Sequence, residues 1–237
     1  MSFKISALAA AVVAVATLSA APIASAAMQT VTGTNFDLSF DDALLGNFGA
    51  INLVGNNIIF TPSDFKAISL NGEGTKITAS TVQLILMTHA GFDIGSIKLL
   101  ERGDYKLVGA GSSVSVEGQI RAFGLADPFT EINDFITTTA PLTTMGALTN
   151  WSSKANLSFD AASGIKQEKG VQLTLENILT ANTLAGSMNT EAFIEKKFAG
   201  AGVTLEVSPV PEPETYALML AGLGVVGMVA NRRRQKQ

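Results

Sequence analysis

The 237-residue chain contains no cysteine, one histidine and one tryptophan. The absence of cysteine excludes disulfide bonds and thiolate metal sites. A zinc site built from several histidines is also excluded, and a Ser-His-Asp triad would have to use His89. No serine lies in a G-x-S-x-G sequence, so His89 is more simply interpreted as a residue that caps or packs at the end of a strand.

Basic residues are scarce between the two ends of the chain. Of the 20 acidic residues, Glu212 and Glu214 lie near the C-terminus, and of the 16 basic residues, Lys4, Lys236 and 232–234 lie at the ends. The segment from 27 to about 210 therefore has 18 acidic and 11 basic residues, a net charge of −7. An acidic body argues against nucleic acid as a partner, because phosphate binding needs clustered lysine and arginine.

The first 26 residues have the order of features that is typical of a secretory signal peptide. Lys4 supplies a positive start, residues 5–21 are apolar and uncharged, and Ala24-Ser25-Ala26 is an A-x-A cleavage site. We therefore expect export through the Sec machinery, with cleavage by signal peptidase after residue 26.

The body, residues 27–208, shows the alternation of apolar and polar residues that is typical of β-strands. Short alternating segments include FDLSF at 36–40, VQLTL at 171–175 and VTLEV at 203–207, and turn residues separate them. Amphipathic helices between strands are lacking, which disfavours a parallel βαβ array. The sequence predicts an all-β ectodomain, an antiparallel β-sandwich or jelly roll.

A charged tetrapeptide, Glu101-Arg102-Gly103-Asp104, interrupts one of these patterns. We interpret it as the turn of a hairpin that joins strands around Ile97 and Tyr105. The Arg-Gly-Asp sequence at this point is also an adhesion tripeptide when a loop tip presents it, but a turn that uses Gly and Asp for their backbone angles is the simpler interpretation.

Two further features of the body are candidates for ligand binding. The carboxylates of Asp37, Asp41, Asp42 and Asp160 are candidate Ca²⁺ ligands, although no D-x-D-x-D-G loop is present and solvated strand carboxylates are the simpler account. Trp151, in the polar stretch TNWSS, is either an exposed platform for stacking on a sugar ring or a plug of the sandwich core. The sequence predicts no catalytic residue, cofactor or metal site.

The C-terminal segment 209–237 has three parts in a fixed order. Pro211-Glu212-Pro213 comes first, residues 216–230 form an uncharged apolar stretch, and residues 232–236 are basic. The stretch predicts a single transmembrane helix at the C-terminus, although its length of about 22 Å is less than the roughly 30 Å hydrocarbon core. Arg232, Arg233 and Arg234 predict a cytoplasmic end and a body outside the cytoplasm.

These three parts closely resemble the PEP-CTERM sorting signal of Gram-negative bacteria. The resemblance covers about 210–237 and rests on Pro211, Glu212, Pro213, the glycine-containing apolar stretch and the arginines. It implies recognition by exosortase, a membrane enzyme that cuts near the motif and passes the body to the cell surface. Because two prolines restrict the backbone, we expect the motif to be extended and outside both helix and sheet.

The expected function is that of an exported protein, first an inner-membrane intermediate and then a component of the cell surface or extracellular matrix. We expect a structural or adhesive role, with extracellular polysaccharide as a partner, because the resembled family belongs to bacteria that make such polymers. The alternative is a secreted glycan-modifying enzyme that uses aspartate or glutamate carboxylates.

Overall fold

The computed structural model describes residues 28–126, 129–160, 169–197 and 202–234. Two antiparallel β-sheets pack around one hydrophobic core, and an α-helix follows them at the C-terminus. This arrangement confirms the predicted all-β sandwich. The strands are β1 (Met28–Thr32), β2 (Phe36–Asp41), β3 (Ala50–Val54), β4 (Asn57–Thr61), β5 (Lys66–Leu70), β6 (Gly74–Thr88), β7 (Phe92–Val108), β8 (Ser113–Gly124), β9 (Glu131–Phe135), β10 (Thr137–Thr138), β11 (Thr149–Ser158), β12 (Gly170–Thr183), β13 (Glu191–Lys196) and β14 (Val203–Pro211).

The first sheet has the strand order β1-β2-β6-β12-β8-β9, with β12 and β6 at its centre. Leu175 of β12 lies opposite Val82 of β6 on one side and Ile120 of β8 on the other. All three side chains are buried, because residues directly opposite in antiparallel strands point to the same face of the sheet. The period-two pattern of the sequence thus places the apolar rows of these strands against the second sheet.

The second sheet is organised around β7, a strand of 17 residues. The order β10-β11-β7-β14-β4-β3 runs through it, and β13 adds a branch that pairs with both β7 and β5. On the side opposite β11, the first part of β7 pairs with β14 as far as Glu101, and the part from Gly103 to Val108 pairs with β13. One long strand therefore brings three others close together near its middle.

The predicted hairpin turn at Glu101–Asp104 is wrong, because β7 continues through it. Gly103 has paired neighbours on both sides, Trp151 in β11 and Lys196 in β13. A Cβ at position 103 would collide with the carbonyl oxygen of Glu195 and with the Trp151 indole. Glycine is therefore required here by the close approach of neighbouring strands, and the Arg-Gly-Asp sequence lies within a sheet instead of at a loop tip.

The helix α1 (Pro213–Arg234) follows β14 after a single residue. Within the described chain, no helix combines the length and the apolar character that a membrane crossing requires. The predicted transmembrane helix is therefore not confirmed: its apolar stretch of 15 residues, 216–230, rises only about 22 Å. The predicted signal peptide, residues 1–26, lies outside the described residues.

Candidate functional site

A groove of about 560 Å³ opens on the second sheet beside β7 and β11. Its wall is the chain segment between β10 and β11, which includes Thr139, Leu142 and Thr144. The hydroxyl oxygen of Tyr105 accepts a hydrogen bond from the Thr144 backbone N–H at 3.0 Å, which fastens this segment to β7. Hydroxyl, amide and cationic side chains line the groove, and two aromatic residues form its floor; these are Thr139, Thr144, Thr149, Asn150, Ser152, Arg102, Lys197, Tyr105 and Trp151.

Lys197 links the charged and the amide groups at the rim of the groove. Its Nζ lies 2.6 Å from Oδ2 of Asp104 and donates a hydrogen bond to Oδ1 of Asn150 at 2.9 Å. Asp104 is almost fully buried, whereas Arg102 beside it is exposed. Because Asp104 balances the charge of Lys197, Arg102 adds a second cation that faces the groove.

Trp151, the predicted ligand contact, lies on β11 and only 5% of it is exposed. Its indole N–H donates to the carbonyl oxygens of Asp104 at 3.3 Å and of Glu195 at 3.2 Å. These contacts favour the core alternative, because the large apolar ring is buried and its polar atom has found partners. Contact of Trp151 with a ligand stays a prediction.

His89 and three of the candidate Ca²⁺ ligands, Asp37, Asp41 and Asp42, lie on the first sheet and its connections, whereas Asp160 follows β11 of the second sheet. The ring of His89 contacts Asp37 at 3.1 Å, and this hydrogen bond, with one from Thr32, holds the pKa of Asp37 below its usual value. Asp41 accepts a hydrogen bond from the Ala43 N–H and caps the short 3-10 turn that follows. Among the described residues, no three acidic or histidine side chains come together as a metal cluster.

The sorting motif lies at the junction between the last strand and the helix. Pro211 ends β14, where it pairs with Phe92, and Pro213 begins α1. The expectation that the motif avoids both sheet and helix is therefore wrong. The register of β14 with β4 ends at Glu206, and the last main-chain bond on that side is from the Val207 N–H to Asn56. Among the described residues no strand pairs with that side of the strand end, which therefore tolerates residues without an N–H, and proline is favoured at the first position of a helix.

Glu212, the central residue of the motif, is held against the body. Its side chain is 19% exposed and lies 3.0 Å from the Lys169 Nζ, and its N–H donates to the Gly91 carbonyl oxygen at 3.0 Å. The hydrogen bond and charge of Glu212 raise the pKa of Lys169. Burial, followed by the charge of Glu212, raises the pKa of Asp93, which lies opposite Val210. The motif is therefore held by the ion pair of Glu212 with Lys169 and is opposed by repulsion between Glu212 and Asp93.

The apolar side chains that the structure describes in α1, as far as Met228, are exposed around the helix. Leu218 is 74% exposed, Val226 65% and Met228 73%. A helix that is apolar on all sides normally has an apolar environment, and the body does not provide one. Arg232, Arg233 and Arg234 form the last turn of α1, and their role in membrane topology stays a prediction.

The sequence did not indicate the groove or the docking of Glu212. The groove depends on the pairing of β7 with β11 and on the folding back of 139–149, which have no local signal. Lys169 is far from Glu212 along the chain, so their ion pair also has none. One signal was available: Asn177 and Lys196 are polar at inward positions of β12 and β13, where the alternation calls for apolar residues.

Comparisons with solved structures find only distant likenesses. A chain of the infectious bursal disease virus Gx strain is 14% identical, with 76% of this chain and 50% of that chain covered and a TM-score of 0.22. For the VP2 subviral particle of the same virus the identity is 15%, the coverage 67% and 41%, and the TM-score 0.21. The protein thus spans half or less of the length of these chains, and at such TM-scores the likeness carries no argument. No curated protein matches the chain.

The C-terminal segment gives a definite result. Residues 209–234 match the family model of the PEP-CTERM protein-sorting motif. The matched segment begins at the register shift between Ser208 and Pro209 in β14, so it contains the end of that strand and all of α1. The motif implies export, a membrane-anchored C-terminal sorting signal in Gram-negative bacteria, and sorting by exosortase. The chain is therefore a PEP-CTERM domain-containing protein.

Proposed function

We propose that the protein is a structural or adhesive component of the cell surface or extracellular matrix and that it binds extracellular polysaccharide. The observation that carries this proposal is the groove beside β7 and β11 in a body whose C-terminal motif directs sorting. Sugar polymers present many hydroxyl groups, and the groove offers hydroxyls, the Asn150 amide and the Arg102 guanidinium as hydrogen-bonding partners. In this proposal the polymer contacts the rim, and Trp151 supports it from below.

We propose further that the protein is not an enzyme. Glycoside hydrolysis requires a pair of carboxylates on either side of the scissile bond. The described residues that line the groove include no aspartate or glutamate, and Asp104, which contacts the lining residue Lys197, is buried. This composition supports binding over the alternative of a glycan-modifying enzyme.

Binding is tested with the full chain and the purified extracellular polysaccharide of the producing bacterium, by co-sedimentation and calorimetry. Each net hydrogen bond contributes about 0.5–1.5 kcal/mol, so we expect Arg102→Ala combined with Asn150→Ala to weaken binding by about tenfold or more. Gln172→Ala, on the outer face of the first sheet, is the control and leaves binding unchanged. Trp151→Ala is unsuitable, because it removes a core side chain.

Three outcomes would overturn parts of this proposal. Absence of binding by the wild-type chain removes the polysaccharide as partner, and equal binding by the double variant removes the groove as the site. New reducing ends or altered substituents on the polymer after incubation would favour the enzyme.

The sorting proposal includes exosortase cleavage, transfer of the body and a signal peptidase step. Mass spectrometry of the protein recovered from the cell surface tests them directly. We expect a mature N-terminus at Ala27 and a mature C-terminus near Pro211. A surface protein that still contains Arg234 would show permanent retention of the tail and refute cleavage.

A further inference from the structure

A lysine, a glutamate and an asparagine meet between the two sheets. Lys196 Nζ lies 2.7 Å from Oε2 of Glu101, and both side chains have no exposed surface. The other carboxylate oxygen, Oε1, accepts a hydrogen bond from Asn177 Nδ2 at 2.6 Å. Ser153, directly opposite Glu101 in the sheet, donates to Oε2 at 2.8 Å. One carboxylate thus contacts both an amine and an amide.

The cluster joins the two sheets. Glu101 lies on β7, Ser153 on β11 and Lys196 at the end of β13, all in the second sheet, whereas Asn177 lies on β12 in the first. Each occupies an inward position of its strand: Leu175 and Leu179, on either side of Asn177 in the same phase, are fully buried. Four polar residues therefore replace apolar ones at a single place in the core.

Lys196 is buried beside two aromatic rings and a carboxylate, and its burial opposes the charged form of the amine. Lys196 Nζ lies 5.4 Å from the centre of the Phe65 ring and 5.1 Å from that of Trp151. Burial lowers the pKa of Lys196, and the charge of Glu101 opposes this effect. Among the described residues, Nζ has no partner with hydrogen-bond geometry despite its short contact with Glu101, and Oδ1 of Asn177 is also buried without one. The cluster is thus incompletely satisfied as an ordinary polar network, which is costly in a core.

We propose that Lys196 and Asn177 become joined by an intramolecular isopeptide bond, which the chain forms by itself with Glu101 as acid and base. The product is an amide between Nζ of Lys196 and Cγ of Asn177, and the leaving group is ammonia. The modification covalently connects β13 of the second sheet to β12 of the first.

The steps balance without an oxidant or a co-reactant. Lys196 transfers a proton to Oε2 of Glu101, and the neutral amine attacks Cγ of Asn177, which forms the C–N bond and places a negative charge on Oδ1. Glu101 then delivers its proton to Nδ2 and accepts a proton from the attacking nitrogen. The oxyanion collapses, the Cγ–Nδ2 bond breaks and ammonia leaves. The separate contacts of Oε1 and Oε2 suit this double role, because each faces one of the two nitrogens.

Peptide mass spectrometry of the full chain tests the proposal. Lys169 and Lys196 bound a tryptic peptide, 170–196, that contains Asn177 and no other basic residue. The cross-link lowers the mass by about 17 Da, the mass of ammonia. It also blocks cleavage after Lys196, so trypsin releases 170–197 as a peptide closed on itself. We expect the mass spectrum to contain this closed peptide. Its fragmentation should yield no backbone fragment ions from the loop between residues 177 and 196.

Three variants show whether the reaction has the proposed origin. Glu101→Gln, Lys196→Arg and Asn177→Leu should each show the mass calculated from their sequence, without the loss of ammonia. The control Lys106→Arg, which alters an ion pair on the sheet surface, retains the loss. Loss of ammonia with normal cleavage after Lys196 indicates a succinimide at an asparagine of the peptide and overturns the proposal. A wild-type peptide of unmodified mass after prolonged incubation of the folded chain also overturns it, whatever the folding of the variants.

Discussion

Gly103 provides a strict test of the packing between β7, β11 and β13. A Cβ at this position would collide with the backbone carbonyl oxygen of Glu195 and lie 2.6 Å from Nε1 of Trp151. The carbonyl belongs to a strand that is paired on both sides, and the indole N–H is itself held by two hydrogen bonds. Neither group can move away without losing established contacts.

The cost of Gly103→Ala follows from these contacts. Overpacking costs about 1–3 kcal/mol, and loss of an indole hydrogen bond adds about 1 kcal/mol. We therefore expect the free energy of unfolding to fall by about 2–4 kcal/mol and, at about 2–4 °C per kcal/mol for a body of this size, Tm to fall by about 4–16 °C. Urea denaturation followed by the fluorescence of Trp151 measures the change, with an unchanged m-value.

Gly222→Ala is the matched control, because a Cβ there meets no described atom within 4 Å apart from its chain neighbours and the backbone of its own helix. We expect it to leave the stability of the body unchanged. If Gly103→Ala costs less than about 0.5 kcal/mol, within the range of ordinary surface substitutions, the close approach of the three strands is refuted. An exposed turn at 101–104 would then be the better description.

Three further predictions concern the core and the docked motif. Phe48→Ala removes a fully buried ring that contacts two other phenylalanines, and we expect urea denaturation to show a loss of about 3–5 kcal/mol. The pKa of Asp93 is raised in the folded state, so its ionisation destabilises the fold as pH rises above the unfolded pKa of 3.8. We therefore expect Asp93→Asn to be more stable than wild type at pH 7. In thermal melts this difference in stability should shrink as the pH is lowered. Lys169→Ala removes the partner of Glu212, and proteolysis of the purified chain should cut around 209–215 at least severalfold faster than in Lys76→Ala, whose ion pair lies on the surface elsewhere.

The sequence predicted those parts of the fold in which local alternation and burial agree. Phe36 and Leu38 in β2, and Val203 and Leu205 in β14, are buried as their period of two indicates. Antiparallel pairing of short strands then follows from the lack of helices between them. No such local pattern determines which strands become neighbours, so the order of strands in either sheet was not predictable.

The wrong prediction of a hairpin turn at 101–104 has a specific physical cause. Charged residues around a glycine normally indicate a turn, because an unpaired charge inside a sheet is costly. Here Glu101 is neutralised by Lys196 and Asp104 by Lys197, two consecutive lysines far away in the sequence. The compensation is visible only after β13 has paired with β7. Trp151 was ambiguous for the same reason, because the polar residues around it belong to a strand whose inward serine contacts Glu101.

The tail shows the opposite relation between sequence and structure. Its motif was recognisable from adjacent residues alone, yet its conformation depends on Phe92, Gly91 and Lys169 in the body. Val207 still donates its N–H to the Asn56 carbonyl oxygen; beyond it, no described strand pairs with β14 on the β4 side, and β7 remains on the other. At an open strand edge, the binding cleft of an enzyme can form main-chain hydrogen bonds with the extended strand. Prolines in the strand limit its pairing with unrelated chains. The body can therefore stay folded while the motif becomes accessible. The end of β14 fixes the position of Glu212, and the motif is released from the body when the Lys169–Glu212 ion pair and the last few backbone contacts of β14 break.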